Sequence, residues 1–243
     1  MDILDGGYWL LFFVINMELG DRMKQYYEKP YNIQLPHRLP VIIRVDGKTF
    51  HTFTKDMERP FDDEFIEAMY SLALHLCEKT HTAQFAYTQS DEISLLLHPY
   101  KKLDTNAYFN NEIQKISSVT AGIASSFMTQ WYNREAVFDA RCFVLPEAEV
   151  VNYFLWRQQD ATRNSISMCA QSLYSHKELH GKSSAQRQEM IFQKGLNWND
   201  LPTYKKRGSA VVKSSLGWEV DLDIPIFSQD RLYIERLLEE EDE

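Results

Sequence analysis

The sequence predicts an α+β protein of the split-βαβ, or ferredoxin-like, class, ordered β-α-β-β-α-β with a helical, basic C-terminal extension. Three observations carry this. A β-branched run, LPVIIRV (Leu39 to Val45), stops at Asp46-Gly47. Two short apolar runs flank the turn sequence Gln89-Ser90-Asp91-Glu92. Two segments with helical spacing separate these runs from each other and from a final one.

Each element has its own signal. Leu39 to Val45 reads as a buried strand because it is continuous and β-branched. Asp62 to Lys79 places Phe65, Met69, Leu72, Ala73 and Leu76 on one helical stripe, with Asp62, Asp63 and Glu64 in the first turn, where acids suit the helix dipole. Gln84 to Thr88 and Ile93 to Leu97 form a hairpin about Gln89 to Glu92. Asn106 to Arg134 reads as a long helix, and its small residues Ala121, Gly122, Ala124, Ser125 and Ser126 allow close packing. Phe138 to Leu145 (FDARCFVL) is a fourth strand stopped by Pro146. Glu147 to Ser175 reads as helical, with a break expected near Asp160 to Asn164.

Composition bounds the rest. With 243 residues, 44% hydrophobic and 25% charged, the chain can bury a core without staples. Nine Gly and eight Pro exclude a collagenous or Pro/Gly-rich disordered chain. Three scattered cysteines (Cys77, Cys142, Cys169) argue against a disulfide framework and for a reducing, cytoplasmic setting. The net charge of −9 argues against a polyanion partner only on average. Residues 171–213 hold eight Lys/Arg against three Asp/Glu, whereas 214–243 hold ten acids against two Arg. A polyanion responds to the local patch, here Lys177, Lys182, Arg187 and Lys205-Lys206-Arg207. The run GYWLLFFVI (Gly7 to Ile15) is shorter than the ~20 residues of a membrane span and lacks signal-peptide flanks. Residues 1–22 are thus expected to be an extension that need not belong to the native protein, with Met17 as an alternative start. Residues 23–145 are expected to be the palm-like unit, 146–213 its helical C-terminal part, and 214–243 a solvated acidic tail.

The chemistry rests on carboxylates. In this topology the first strand is central, and the tip of the hairpin comes beside its C-terminal end. Asp46 would thereby meet Asp91 and Glu92. Hard carboxylate oxygens on adjacent strand ends suit Mg²⁺, which keeps waters and takes its remaining ligands from phosphates. Two such ions can clamp the attacking and leaving oxygens of a phosphoryl transfer. Gly47, lacking Cβ, lets its carbonyl approach a metal or phosphate. After Asp46, Lys48 and Arg44 can offset triphosphate charge, the loop with Thr49 can offer amides, and Phe50 or His51 can stack on a base.

VDGKTFH (Val45 to His51), YTQSDEISLL (Tyr87 to Leu96), WRQQDATRNS (Trp156 to Ser165) and LHGKS (Leu179 to Ser183), in this order, resemble the tRNA-histidine guanylyltransferase family, and most closely its bacterial and archaeal guanylyltransferase-like branch. The likeness runs from about Met23 to Lys213. The resemblance implies a polymerase-type palm, two Mg²⁺ ions, a homotetramer, and addition of nucleotides to the 5′ end of tRNA in the 3′→5′ direction. The 5′-monophosphate is first activated with ATP or GTP, and a nucleoside triphosphate then attacks through its 3′-hydroxyl. Carried over by motif, Asp46 and Asp91 ligate the ions with the Gly47 carbonyl, and Glu92 assists. Asp46 to His51 and Ser90 hold the nucleotide, as do Arg59, Asp62 and Asn164. Arg157, within WRQQD, joins Lys182, Arg187, Lys205, Lys206 and Arg207 in contacting RNA. One departure stands out. Where eukaryotic members carry His-Ile-Asn-Asn, this chain has Thr162-Arg163-Asn164-Ser165, which points to templated repair of 5′-truncated tRNA rather than guanine addition to tRNA-histidine alone.

Other signals are weaker. Gly181-Lys182-Ser183 lacks the Gly that a P-loop requires at position 176, which is His. His75, Cys77 and His81 supply only three zinc ligands, without CxxC spacing. Two alternatives stay open: another palm-type nucleotidyltransferase, which leaves WRQQD unexplained, and a non-catalytic RNA-binding sheet, which would want aromatics that VIIRV lacks.

Overall fold

The computed structural model describes residues 17–102 and 104–239, so the run Gly7 to Ile15 lies outside the described residues. Central strand β1 (Val41–Gly47) pairs antiparallel with β3 (Glu92–Leu97) on one side and with β4 (Phe138–Val144) on the other. Strand β2 (Ala83–Gln89) pairs with the far edge of β3. The order β4-β1-β3-β2 is the expected ferredoxin-like arrangement. The sheet then continues through β5 (Ser209–Ser214) and β6 (Gly217–Asp221), giving β4-β1-β3-β2-β5-β6. In chain order the helices are α1 (Leu19–Met23), α2 (Phe50–Phe53), α3 (Asp63–Lys79), α4 (Ile113–Tyr132), α5 (Glu147–Leu173), α6 (His176–Leu179), α7 (Ser184–Gln193), α8 (Thr203–Arg207) and α9 (Leu232–Glu235). None is long and apolar enough to cross a membrane among the described residues.

Both faces of the sheet are covered, which is why β1 reads as a continuous apolar run rather than an alternating one. Val41, Ile43 and Val45 pack with Leu72 and Leu76 of α3 and Ile116 of α4. Ile42 points the other way, toward Phe85, Leu96 and Phe154 beneath α5. Each such buried side chain contributes about 1.5–3 kcal/mol relative to exposure. Residues two apart share a face, so Arg44 and Asp46 continue the row of Ile42. The α5 face therefore turns from apolar to ionic toward the strand end, where the site lies.

Helix α3 begins as its acids predict: the Asp62 carboxylate caps it, accepting from the Phe65 amide at 2.9 Å. Helix α4 starts at Ile113 rather than Asn106, because Phe109, Asn110 and Asn111 take positive φ (46°, 49° and 60°) and turn the chain first. The expected break in the next helix does not occur, and α5 runs unbroken for 27 residues, about 40 Å. Its polar stretch is held by its own charges: Asp160 pairs with Arg157 at 3.4 Å and with Arg163 at 2.9 Å, both at i,i+3 spacing. The first half of α5 packs on the sheet. The second half projects beyond it and builds a separate core from Ile166, Cys169, Ala170, Leu179, Ile191 and Trp198.

The C-terminal region departs most from expectation. Residues 214–243 were expected as an acidic tail, yet Gly217–Asp221 is a strand, and Ile224, Phe227 and Ile234 are buried. Gln158, within WRQQD, clamps this segment: its Nε2 donates to the Pro225 carbonyl at 2.8 Å and its Oε1 accepts from the Phe227 amide at 2.9 Å. Ten acids hid the period-two alternation of Trp218 and Val220 with Glu219 and Asp221.

Candidate active site

The strand pairing brings the two carboxylate tips together. Asp46 stands opposite Glu92 on β3 and opposite Asp139 on β4. The Gly47 amide donates to the Asp91 carbonyl at 3.1 Å, locking the end of β1 to the hairpin tip. That tip is a two-residue turn, Ser90-Asp91, with Ser90 at φ 51°. Gly47 is required here, because a Cβ would fall within the Phe50 ring. Beyond it Thr49 is left-handed (φ 59°) and launches the short helix α2, where the Thr52 amide donates back to the Thr49 carbonyl at 2.9 Å.

A cleft of about 380 Å³ opens beneath the tip. Gly47, Thr49, Phe50, His51, Arg59, Asp62, Ser90 and Asp91 line it, so most of the sequence-predicted nucleotide residues share one space. An inner groove of about 80 Å³ shares Asp62, Phe65, Ser90 and Met168 with it, and is lined further by Asn164, Lys205 and Lys206. The loop 58–62, with its cis Arg59-Pro60 peptide, forms one wall. Asp62 shapes that wall, since its second oxygen accepts from the Glu58 amide at 3.0 Å. Thr54, Met57, Glu58, Gln89, Met168 and Tyr204 also line these spaces and escaped the sequence reading. Ala161, Asn164, Ser165 and Met168 have the i, i+3, i+4, i+7 spacing of one helix face. The expected break in α5 concealed that pattern.

Electrostatics single out the carboxylates. Burial is the main cause raising the Asp91 pKa above the ordinary aspartate value. The Ser90 hydroxyl, donating at 3.1 Å, opposes that rise, whereas the charge of Asp46 adds to it. Burial likewise raises Glu92, against the pull of Arg157 and Arg44. Arg157 Nη1 donates to both Glu92 oxygens at 3.2 and 2.9 Å, and Arg44 Nη2 to Glu92 Oε2 at 2.5 Å. Arg44 also reaches Asp46 Oδ2, at 3.4 Å.

Several expectations need correction. Glu92, expected to assist Asp46 and Asp91, is 6% exposed with its carboxylate held by two guanidiniums, which makes it a buried ion-pair partner. Arg157 is 3% exposed, stacked on Trp156 and spent on Glu92 and Asp160, so it does not face RNA. Phe50 is packed among Phe53, Phe65 and Phe138 and is not free to stack on a base, whereas His51 is exposed at the cleft. Lys48 is exposed, its amide donates to Val137, and it does not line the cleft. Arg187 ties α7 to Ser167 at 2.8 Å. Arg207 lines a different groove with Arg163 and Trp198, and Lys182 stands exposed in the turn before α7. Lys205 pairs with Asp63 at 2.7 Å beside the inner groove, and Lys206 donates to the Asn199 carbonyl.

Among the described residues no three or more His, Cys, Asp or Glu gather as a metal cage. The donor set nevertheless fits a hard divalent cation. Asp46 and Asp91 are mutually repelling carboxylates beside a glycine carbonyl, and Mg²⁺ takes few protein ligands when phosphate and water supply the rest.

A ferredoxin-like sheet that carries acidic strand ends over a cleft wide enough for a nucleotide defines a palm-type nucleotidyltransferase. The comparisons with known proteins agree with that class. A sequence model described as tRNAHis guanylyltransferase matches residues 20–146. A probable tRNA(His) guanylyltransferase of Dictyostelium discoideum is 30% identical over 71% of this chain and 75% of its own length. A bacterial tRNA(His) guanylyltransferase-like protein in complex with ATP is 44% identical with a TM-score of 0.86, covering 91% of this chain and 99% of that one. The structure of such a protein in complex with GTP is 43% identical with a TM-score of 0.81, covering 90% and 98%. The chain belongs to the tRNA(His) guanylyltransferase family.

Proposed function

We propose that this protein adds nucleotides to the 5′ end of tRNA in the 3′→5′ direction, using divalent metal at Asp46 and Asp91. The observation that carries the reading is the approach of the Asp46 strand end to the Asp91 hairpin tip, beside a cleft that Asp91 lines with Gly47, Ser90 and His51, in a chain 43–44% identical to proteins bound to ATP and GTP. Two Mg²⁺ ions held by Asp46, Asp91 and the Gly47 carbonyl would offset phosphate charge and lower the barrier to attack on the 5′ phosphate. The chain's own part is positioning, which dominates phosphoryl transfer. The Phe50 and His51 amides at the start of α2 and the exposed Arg59 would receive the triphosphate, the His51 ring would take the base, and Lys205, Lys206 and Asn164 would border the RNA path in the inner groove. Exposed Lys182 would add a distal phosphate contact. Assembly as a homotetramer, and a cytoplasmic setting suited to the free cysteines Cys77, Cys142 and Cys169, belong to the same reading.

We further propose templated repair as the reaction. Thr162, Arg163, Asn164 and Ser165 lie in the middle of α5, and Ser165 is buried, donating to the Lys205 carbonyl at 2.7 Å and accepting from Trp198 Nε1 at 2.9 Å. This stretch is therefore partly structural and leaves few side chains for reading a particular tRNA. The test is a 5′-monophosphorylated tRNA lacking its first nucleotide, incubated with Mg²⁺, ATP and each nucleoside triphosphate in turn. Addition of only the base that pairs with the 3′ strand is expected. Guanine added to tRNA-histidine alone would replace repair with the narrower activity, and no addition by folded protein would overturn the proposal.

A further inference from the structure

Arg44 stands between two carboxylates of different duties. It holds Glu92 at 2.5 Å and Asp46 at 3.4 Å, both through Nη2. Glu92 is in turn fixed by Arg157, which is tied to Asp160 on α5 and backed by the Trp156 ring at 3.5 Å. The ionic row thus runs Asp160, Arg157, Glu92, Arg44, Asp46. It is buried at its centre, where Glu92 and Arg157 are 6% and 3% exposed, and it opens at Asp46, whose side chain is 31% exposed. Buried charges of this kind persist only when paired, and removing one partner sends the other to the next available opposite charge. For Arg44 that charge is Asp46.

We propose that Glu92 and Arg157 are positioning residues that hold Arg44 back from Asp46, keeping the Asp46 carboxylate free for a divalent cation. The inference rests on the reading of Asp46 and Asp91 as metal ligands. Glu92 acts here as the stronger competitor for one guanidinium and not as a ligand. Neutralising Glu92 lets Arg44 close onto Asp46, where a cation and a guanidinium contend for the same oxygens. The same logic gives a result that a direct ligand could not produce: removing Arg44 as well should undo the damage.

The test is a Mn²⁺ titration of the full-length protein without nucleotide, followed by electron paramagnetic resonance of the free ion, on wild type, Glu92→Gln, Arg44→Met and Arg44→Met/Glu92→Gln. Glu92→Gln is expected to weaken Mn²⁺ binding roughly five- to tenfold, the effect of a unit charge drawn a fraction of an ångström closer at intermediate dielectric. Arg44→Met is expected to bind no more weakly than wild type, and the double variant within about twofold of Arg44→Met, because Glu92 matters only while Arg44 is present; independent charge effects would instead make Glu92→Gln cost as much in that background as in wild type. Glu92→Asp, which keeps the buried charge but withdraws the carboxylate from Arg44 by one methylene, covers the case of Glu92→Gln failing to fold. It should weaken Mn²⁺ binding less than Glu92→Gln, and adding Arg44→Met should reverse the loss. Weak binding that persists in both double variants would overturn the proposal and make Glu92 a ligand. Wild-type binding unaffected by Asp46→Asn would instead strike the metal reading on which it rests.

Discussion

At the scale of single residues, the site trades stability for charge. Burial and the neighbouring Asp46 raise the pKa of Asp91 in the folded state. A raised carboxyl pKa contributes stability below its unfolded value and loses it as pH rises through the folded value. At neutral pH the ionised Asp91 therefore costs stability in the metal-free protein. Asp91→Asn is expected to raise Tm at pH 7 without metal, with the gain vanishing as pH falls below the ordinary aspartate range; thermal melts at a series of pH values check this. The same substitution, and Asp46→Asn, should lower nucleotide addition by at least about 10²–10³-fold, as losing a group that stabilises transition-state charge does. Single-turnover rates with saturating Mg²⁺ measure it. Gly47→Ala places a methyl group against the Phe50 ring and should cost about 1–3 kcal/mol through overpacking, read by urea unfolding. Asp46, Gly47, Ser90 and Asp91 were legible because turn residues at two adjacent strand tips have a topological meaning. The duties of Glu92 and Arg157 were not, since a motif does not say whether its charge faces solvent or another buried charge.

At the scale of elements, long signals were read and split ones were missed. Strands β1 to β4 and helix α3 follow directly from runs such as VIIRV and from the stripe ending at Leu76. The start of α4 failed because three successive left-handed residues, Phe109 to Asn111, leave no strong mark in composition. Helix α5 was expected to break because ATRN looks polar and turn-forming, yet its ion pairs and its two packed ends keep it helical. Strand β6 was hidden by its acids, and the short β5 (SAVVKS) by the basic run Lys205-Lys206-Arg207 just before it. Phe227 locates the energetic consequence: it is 0% exposed and stacks against Tyr233, between α5 and the sheet face. Phe227→Ala should cost about 3–5 kcal/mol, the range for emptying a buried aromatic site. A solvated tail would give nearly no change, so denaturant midpoints at constant m-value discriminate the two descriptions.

At the scale of the whole molecule, a chain of net charge −9 must still receive a polyanion. The acids are largely sequestered or placed elsewhere. Glu92 is buried, Asp160 is paired along α5, and Asp63 pairs with Lys205 at the groove edge. The cleft itself mixes signs, with Arg59 beside Glu58, Asp62 and Asp91, whereas the inner groove carries Lys206 and the paired Lys205. RNA affinity should therefore fall steeply with salt despite the overall sign, because released counterions and not net charge set the slope. Each phosphate contact on a single strand contributes about 0.7 to the slope of log K against log[salt], and about 0.9 on a duplex. Lys206→Gln, and separately Lys182→Gln, should each reduce the slope by about that amount while weakening all tRNAs alike. Arg157→Gln should leave the slope unchanged, because that guanidinium is buried and already neutralised. Filter binding of one tRNA between about 50 and 200 mM salt, the range over which such contacts dominate, separates these cases. A reduced slope in Arg157→Gln would return that residue to the RNA surface. An unchanged slope in both lysine variants would move the RNA path away from the inner groove, toward the separate groove lined by Arg163 and Arg207.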